Sequence, residues 1–167
     1  MTFNMSSSIF LSSSAFVVFA IAAVAAVSGG GAGELPPETP TTVKIIPHDQ
    51  VSEAFKKGVP MLETGEYKIN AGRRDAAGGV EIHQRDTDIF YILEGSATLI
   101  TGGKVEGEKT VSPNEIRGTS ITGGESHAMS KGDVIVIPRG TPHWIKEVPQ
   151  APLLYFVVKT VAPEGTK

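Results

Sequence analysis

The chain contains no cysteine. That absence removes disulfides, thiolate nucleophiles and lipid attachment at an N-terminal Cys, so stability has to come from a packed core and from any metal the protein binds. An excess of positive charge is missing too: 15 Lys and Arg stand against 18 Asp and Glu, interspersed, for a net charge of −3. Nothing forms the basic stripe that a nucleic-acid binder needs, and no nucleic-acid partner is expected. No apolar run is long enough to span a bilayer comfortably. The longest, residues 15–27, has about thirteen residues where about twenty are required. No Ser-His-Asp arrangement can be argued, and Gly123-Gly124 is followed by no Gly-Lys-Ser/Thr, so a hairpin turn explains it without a phosphate loop.

What the ends do contain is a Ser-rich start, the short apolar run, and then Ala23-Val24-Ala25 and Ala26-Val27-Ser28 ahead of Gly29-Gly30-Gly31. Both triplets satisfy the small-x-small rule of signal cleavage. Residues 1–28 therefore read as a signal peptide, with the mature chain starting near Ala26 or Gly29 and residing in a secreted or periplasmic location. The stretch before the run carries no Lys or Arg, and an uncleaved anchor is the alternative. After cleavage no membrane span remains. Prolines at 36, 37 and 40 make residues 29–48 an extended linker. About 140 residues are left, enough for one cored domain over 49–162 with a short tail at 163–167.

Within that domain one helix is expected over 49–57, where Val51, Ala54 and Phe55 share a face and Gly58 stops it. Strands are expected over 67–71, 80–83, 88–93, 97–101, 116–121, 126–129, 134–137, 143–147 and 153–161, each short and rich in β-branched or aromatic residues. Glu94-Gly95, Gly102-Gly103, Gly123-Gly124 and Lys131-Gly132 read as turns between them. Residues 101–121, polar and rich in breakers, read as holding a long loop. Many short strands with Gly turns mean an all-β sandwich or barrel, and a double-sheet jelly roll suits the spacing. In 88–93 the Phe90 and Ile92 face and the Ile89, Tyr91 and Leu93 face are both apolar, and 153–161 is similar. One face can line a barrel. The other needs a cover from the N-terminal segment, the short helix or a second subunit, and a homodimer is the economical choice.

Chemistry concentrates in two stretches, Gly-Val-Glu-Ile-His-Gln-Arg-Asp-Thr-Asp-Ile-Phe-Tyr-Ile-Leu-Glu-Gly at 79–95 and Gly-Asp-Val-Ile-Val-Ile-Pro-Arg-Gly-Thr-Pro-His-Trp at 132–144. They supply Glu81, His83 and Asp88, and His143. Side chains two apart on a strand point the same way, so Glu81 and His83 can reach one ion. The turn before His143 fixes where its strand starts and where the imidazole points. The plainer readings are a His83 hydrogen-bonded to Asp88, a His143 packed beside Trp144, and an Asp88 partnering Thr87 and Arg85 in a turn. Glu81 has three open roles: ligand, acceptor that orients an imidazole, or general base. His48 and His127 read as surface residues. For Arg73 and Arg74 the choice is a solvated pair or one guanidinium turned inward to an anionic substrate.

The two stretches resemble the motifs of the cupin superfamily, G-x5-H-x-H-x4-E-x6-G and G-x5-P-x-G-x2-H-x3-N. Glu81 falls at the first His, His83 at the second, Asp88 at the Glu, Gly95 at the closing Gly, and Asp75 at the opening Gly. Gly132, Pro138, Gly140 and His143 match the second motif, with Glu147 at the Asn. The resemblance implies a double-stranded β-helix holding one divalent ion on His83, His143, Asp88 and Glu81. Such a donor set suits Fe(II), Mn(II), Zn(II), Ni(II) or Cu(II). Two functions of different class follow: an exported metalloenzyme of oxygenase or isomerase type acting on a small organic acid or carbonyl compound, or a non-catalytic barrel that binds a small ligand or metal.

Overall fold

Period-two alternation of apolar residues between glycine-bearing turns produces a strand-dominated chain, seen in a computed structural model that describes residues 38–165. The proposed signal peptide, its cleavage point and residues 29–37 of the linker lie outside the described residues. In chain order the elements are α1 (His48–Lys57), β1 (Pro60–Glu63), β2 (Tyr67–Arg74), β3 (Val80–His83), β4 (Asp86–Thr101), β5 (Lys104–Glu106), β6 (Lys109–Ser112), β7 (Glu115–Gly118), β8 (Ser120–Thr122), β9 (Glu125–Ser130), β10 (Val134–Ile137) and β11 (His143–Val161). Among the described residues no helix is long and apolar enough to cross a membrane.

Two long strands organise the jelly roll. The second half of β11 lies between β2 and the first half of β4, in register Val157↔Asn70 and Val157↔Phe90, and that part of β4 also pairs with β10. The first half of β11 starts beside β3 at His143↔Glu81 and continues along the second half of β4, which in turn carries β9. β3 pairs onward with β7 and β7 with β6, while β5 and β8 form a separate two-stranded sheet. Both long strands thus pass from one layer to the other. Their inner faces meet in a core of Phe90, Ile92, Ala97, Leu99, Met129, Ile137, Ile145, Leu153, Tyr155 and Val157. Phe90 and Tyr155 touch across β4 and β11 with ring centroids 4.9 Å apart. At roughly 1.5–3 kcal/mol for each large side chain buried, this layer contact is the main stabilising element.

Three expectations change. Residues 88–93 and 97–101 are one strand, as are 143–147 and 153–161. Glu94-Gly95 is therefore a bend inside β4 and not a turn between strands. Gly95 has φ +80°, and the register of β11 against β4 shifts repeatedly around it between Ile145 and Tyr155. Residues 101–121 hold strands and not a long loop: their breakers sit in the tight turns, with Gly102, Gly103, Gly107 and Asn114 all at positive φ. Gly123-Gly124 joins β8 to β9, which pair in different sheets, so it closes no hairpin.

The helix forms as expected, ending at Gly58 in the left-handed region with its N–H on Ala54 O. Val51 and Phe55 of α1 line a groove with Leu93 and Leu154 on the outer side of the sheet, so the helix covers one part of the second apolar face. Tyr91, Val134 and Val136 stay exposed.

Candidate metal centre

Strand register brings the chemistry-bearing residues together from both layers. On the β7–β3–β11 side, Arg117, Glu81 and His143 are direct cross-strand neighbours, and Glu115 stands opposite His83. The other layer contributes Arg74 from β2, Asp88 from β4 and Lys159 from β11, with Asp88 and Lys159 directly opposed. Alternation on β2 explains why the two adjacent arginines part company. Arg74 pairs with buried Leu153 and faces inward, whereas Arg73 faces out and grips Asp75 through Nε and Nη2 at 3.0 and 2.7 Å.

The two imidazoles are buried, each 4% exposed, with ring centroids 5.1 Å apart. Nδ1 of His83 lies 2.6 Å from Glu115 Oε1, and Nδ1 of His143 lies 3.0 Å from the Thr141 carbonyl. Both partners only accept, so Nδ1 carries the proton in each ring and a neutral ring turns the Nε2 lone pair to the centre. Neither Nε2 has a hydrogen-bond partner. Glu81 Oε2 stands 3.4 Å from His83 Nε2 and 3.9 Å from His143 Nε2. Asp88 Oδ2 stands 3.5 and 3.9 Å from the same two atoms. Donors around one tetrahedral ion with bonds of about 2.1 Å are separated by about 3.4 Å, so the spacing fits.

Glu81, His83 and His143 offer donor atoms all within 4.8 Å of one another. Asp88 is brought beside them, but Lys159 Nζ holds its two oxygens at 2.7 and 2.8 Å. Glu81 is divided between two tasks. Its Oε1 takes Arg74 at 3.0 Å and Arg117 at 2.6 Å, while Oε2 faces the imidazoles. Burial opposes its charge, yet His83 when protonated, Arg117, His143 when protonated and Arg74 outweigh that and hold the carboxyl well below the usual carboxylate range. For His83 burial likewise disfavours the charged ring, but Glu81 above all, with Asp88 and Glu115, raises its pKa. His143 goes the other way: burial lowers it, only partly offset by Thr141. A proton and a metal ion therefore compete chiefly for His83.

His48 and His127 lie away from this centre, against Ser52 and Thr101 respectively. Sequence reasoning missed Glu115, Arg117 and Lys159. The alternation Glu115-x-Arg117 puts both on one face of β7, as Glu81-x-His83 does on β3, but the signal was obscured by the glycines and Pro113 around it.

A family model described as Cupin matches residues 40–167. Among solved structures, a Bacillus halodurans protein is 16% identical over 79% of this chain and 92% of its own, with a TM-score of 0.51. An RmlC-like cupin family protein with a double-stranded β-helix fold, from Methanocaldococcus jannaschii, is 14% identical over 81% and 96%, TM-score 0.46. The DMSP lyase of Ruegeria pomeroyi is 16% identical over 62% and 42%, TM-score 0.42. No curated protein matches.

Proposed function

This chain belongs to the cupin family, and on that premise we propose that it is a mononuclear divalent-metal protein acting on a small organic molecule, with oxygenase- or isomerase-type chemistry. The observation that carries the reading is the pair of buried, unpartnered Nε2 atoms converging on the Glu81 carboxylate. A buried imidazole nitrogen left without a partner costs about 1–3 kcal/mol, a cost that coordination removes. His83, His143 and Glu81 would hold the ion, with Asp88 beside them as a fourth donor or as the counter-charge of Lys159. A bound divalent ion at that point supplies Lewis acidity, polarising a carbonyl or acidifying water.

The chain's own residues prepare the site. Glu115 and Thr141 fix the two ring orientations. Arg74 and Arg117 keep Glu81 ionised and leave one oxygen for the centre. A carboxylate so strongly stabilised as the anion is a poor proton acceptor near neutral pH, which favours Glu81 as ligand over general base. Export is part of the same proposal and is supported by the sequence of residues 1–28 alone.

The test is metal content after reconstitution with Mn, Fe, Ni, Cu or Zn, measured by mass spectrometry. About one ion per chain is expected, with His83→Ala and His143→Ala each losing on the order of a hundredfold in affinity. Glu81→Gln loses metal if Glu81 is a ligand; retained metal with lost turnover would make it the base. Stoichiometry near zero for every ion sinks the metal reading.

A further inference from the structure

We propose that Arg74 and Arg117 form the docking point for the carboxylate of the substrate, so that the molecule this centre receives is a small organic acid. The inference rests on the metal reading above and adds the substrate class. Two observations carry it: the charge count of the site, and where the site opens.

Around the two imidazoles stand three carboxylates, Glu81, Asp88 and Glu115, and three cations, Arg74, Arg117 and Lys159. Every one of these carboxylates touches a cation: Glu81 both arginines, Glu115 the Nη2 of Arg117 at 3.3 Å, Asp88 the Lys159 ammonium. With both rings neutral the cluster sums to zero. A divalent ion then brings two uncompensated positive charges into a partly desolvated place, where their field is weakly screened and calls for an anion.

Exposure shows where that anion can enter. His83, His143 and Asp88 are sealed from solvent, while the side chains of Glu81, Arg74 and Arg117 are 23%, 32% and 42% exposed. The accessible edge of the donor set is thus Glu81 with a guanidinium on either side. Both guanidiniums share the single Oε1 atom of Glu81, so they converge. Arg74 lies over Gly78, whose absent Cβ would come within 3.1 Å of its Nη1. A guanidinium has five N–H donors in a planar fork, and the contacts of Arg74 to Glu81 and Tyr155 and of Arg117 to Glu81 and Glu115 use only part of them. A carboxylate seated on the free N–H groups gains charge-assisted bonds and places its adjoining carbon and oxygen atoms toward the imidazoles. Lys159 has no such role, being only 13% exposed and committed to both oxygens of Asp88.

The experiment uses full-length protein loaded with Zn(II), its metal content measured first, and calorimetric titration with pyruvate and malonate against the uncharged acetone and malonamide. The acids should bind about tenfold or more tighter than their neutral counterparts, and increasingly weakly as salt is raised. Compared at equal metal content, Arg74→Gln and Arg117→Gln should each lower acid affinity about tenfold or more and weaken the neutral probes far less. Arg117→Lys, keeping charge without the fork, should fall between, and the outward Arg73→Gln should behave as wild type. Equal binding of acids and neutral probes at full metal occupancy, or undiminished acid binding in Arg74→Gln/Arg117→Gln, overturns the inference and leaves the metal reading standing. Failure to load metal overturns the metal reading itself and the inference with it.

Discussion

Glu115 is the residue whose role is defined best by geometry and least by sequence. Its 2.6 Å contact with His83 Nδ1 decides which ring nitrogen faces the centre. Glu115→Leu should let the ring relax to a mixture of tautomers and weaken metal binding by about ten- to a hundredfold, whereas Glu115→Gln, which can still accept at Nδ1, should lose less. Nitrogen-15 NMR of the histidine rings in metal-free protein at high pH reads the tautomer directly. An unchanged Nδ1–H signature in Glu115→Leu would show that packing alone orients the ring. Glu81, His83 and His143 were legible because a two-residue spacing on a strand and a proline-framed turn fix direction locally, whereas Asp88 was reached through the motif resemblance. Of their cationic partners only Arg74 was weighed, since Arg117 and Lys159 reach the centre only through register with β3 and β4, which no local pattern encodes.

At the level of elements, apolar alternation located the long central strands but missed the short β1, β5 and β6 and read β7 and β8 as one, and it could not tell a bend from a break. Gly95 shows why. A Cβ there would sit 2.5 Å from the backbone oxygens of Gln150 and Pro152 and 2.9 Å from Leu153 Cα, none of which can swing aside. The glycine permits β4 to continue at the point where it changes layer, and a dipeptide that usually signals a reversal here carries the chain onward. Gly95→Ala should cost about 2–5 kcal/mol, combining positive-φ strain with a backbone clash. Gly102→Ala, at φ +66° with open space around it, should cost only the strain, about 1–2 kcal/mol. Urea midpoints at constant slope measure both. Similar losses at the two positions would mean that the close approach at Gly95 relaxes freely.

For the molecule as a whole, the second apolar face is only partly covered. Val134 neighbours Tyr91 and Tyr91 neighbours Phe156; Val136 neighbours Ile89 and Ile89 neighbours Val158. The stripe crosses β10, β4 and β11 beyond the reach of α1, and among the described residues β10 pairs with β4 alone. An exposed, uncharged edge of this kind is ordinarily buried in a partner. We expect a homodimer at micromolar concentration, shifted to monomer by Val134→Lys/Val136→Lys, with light scattering as the measurement. A wild-type monomer would rule it out. The sequence predicted that this face needs a cover, and the structure shows how much the helix leaves bare.

The central place of β11 bears on how the protein is made. It is the last strand in chain order, yet β2, β3 and β4 all pair with it, and it brings His143 and Lys159 to the site. During synthesis the earlier strands wait without the neighbour that joins them, so folding has to follow emergence of residues 143–161 from the ribosome. Closure over such sequence separations belongs to the slow regime of milliseconds to seconds. Until then the valine- and isoleucine-rich segments are open to wrong partners, and a nascent chain stalled before β11 becomes a substrate for chaperones instead of a smaller version of the protein.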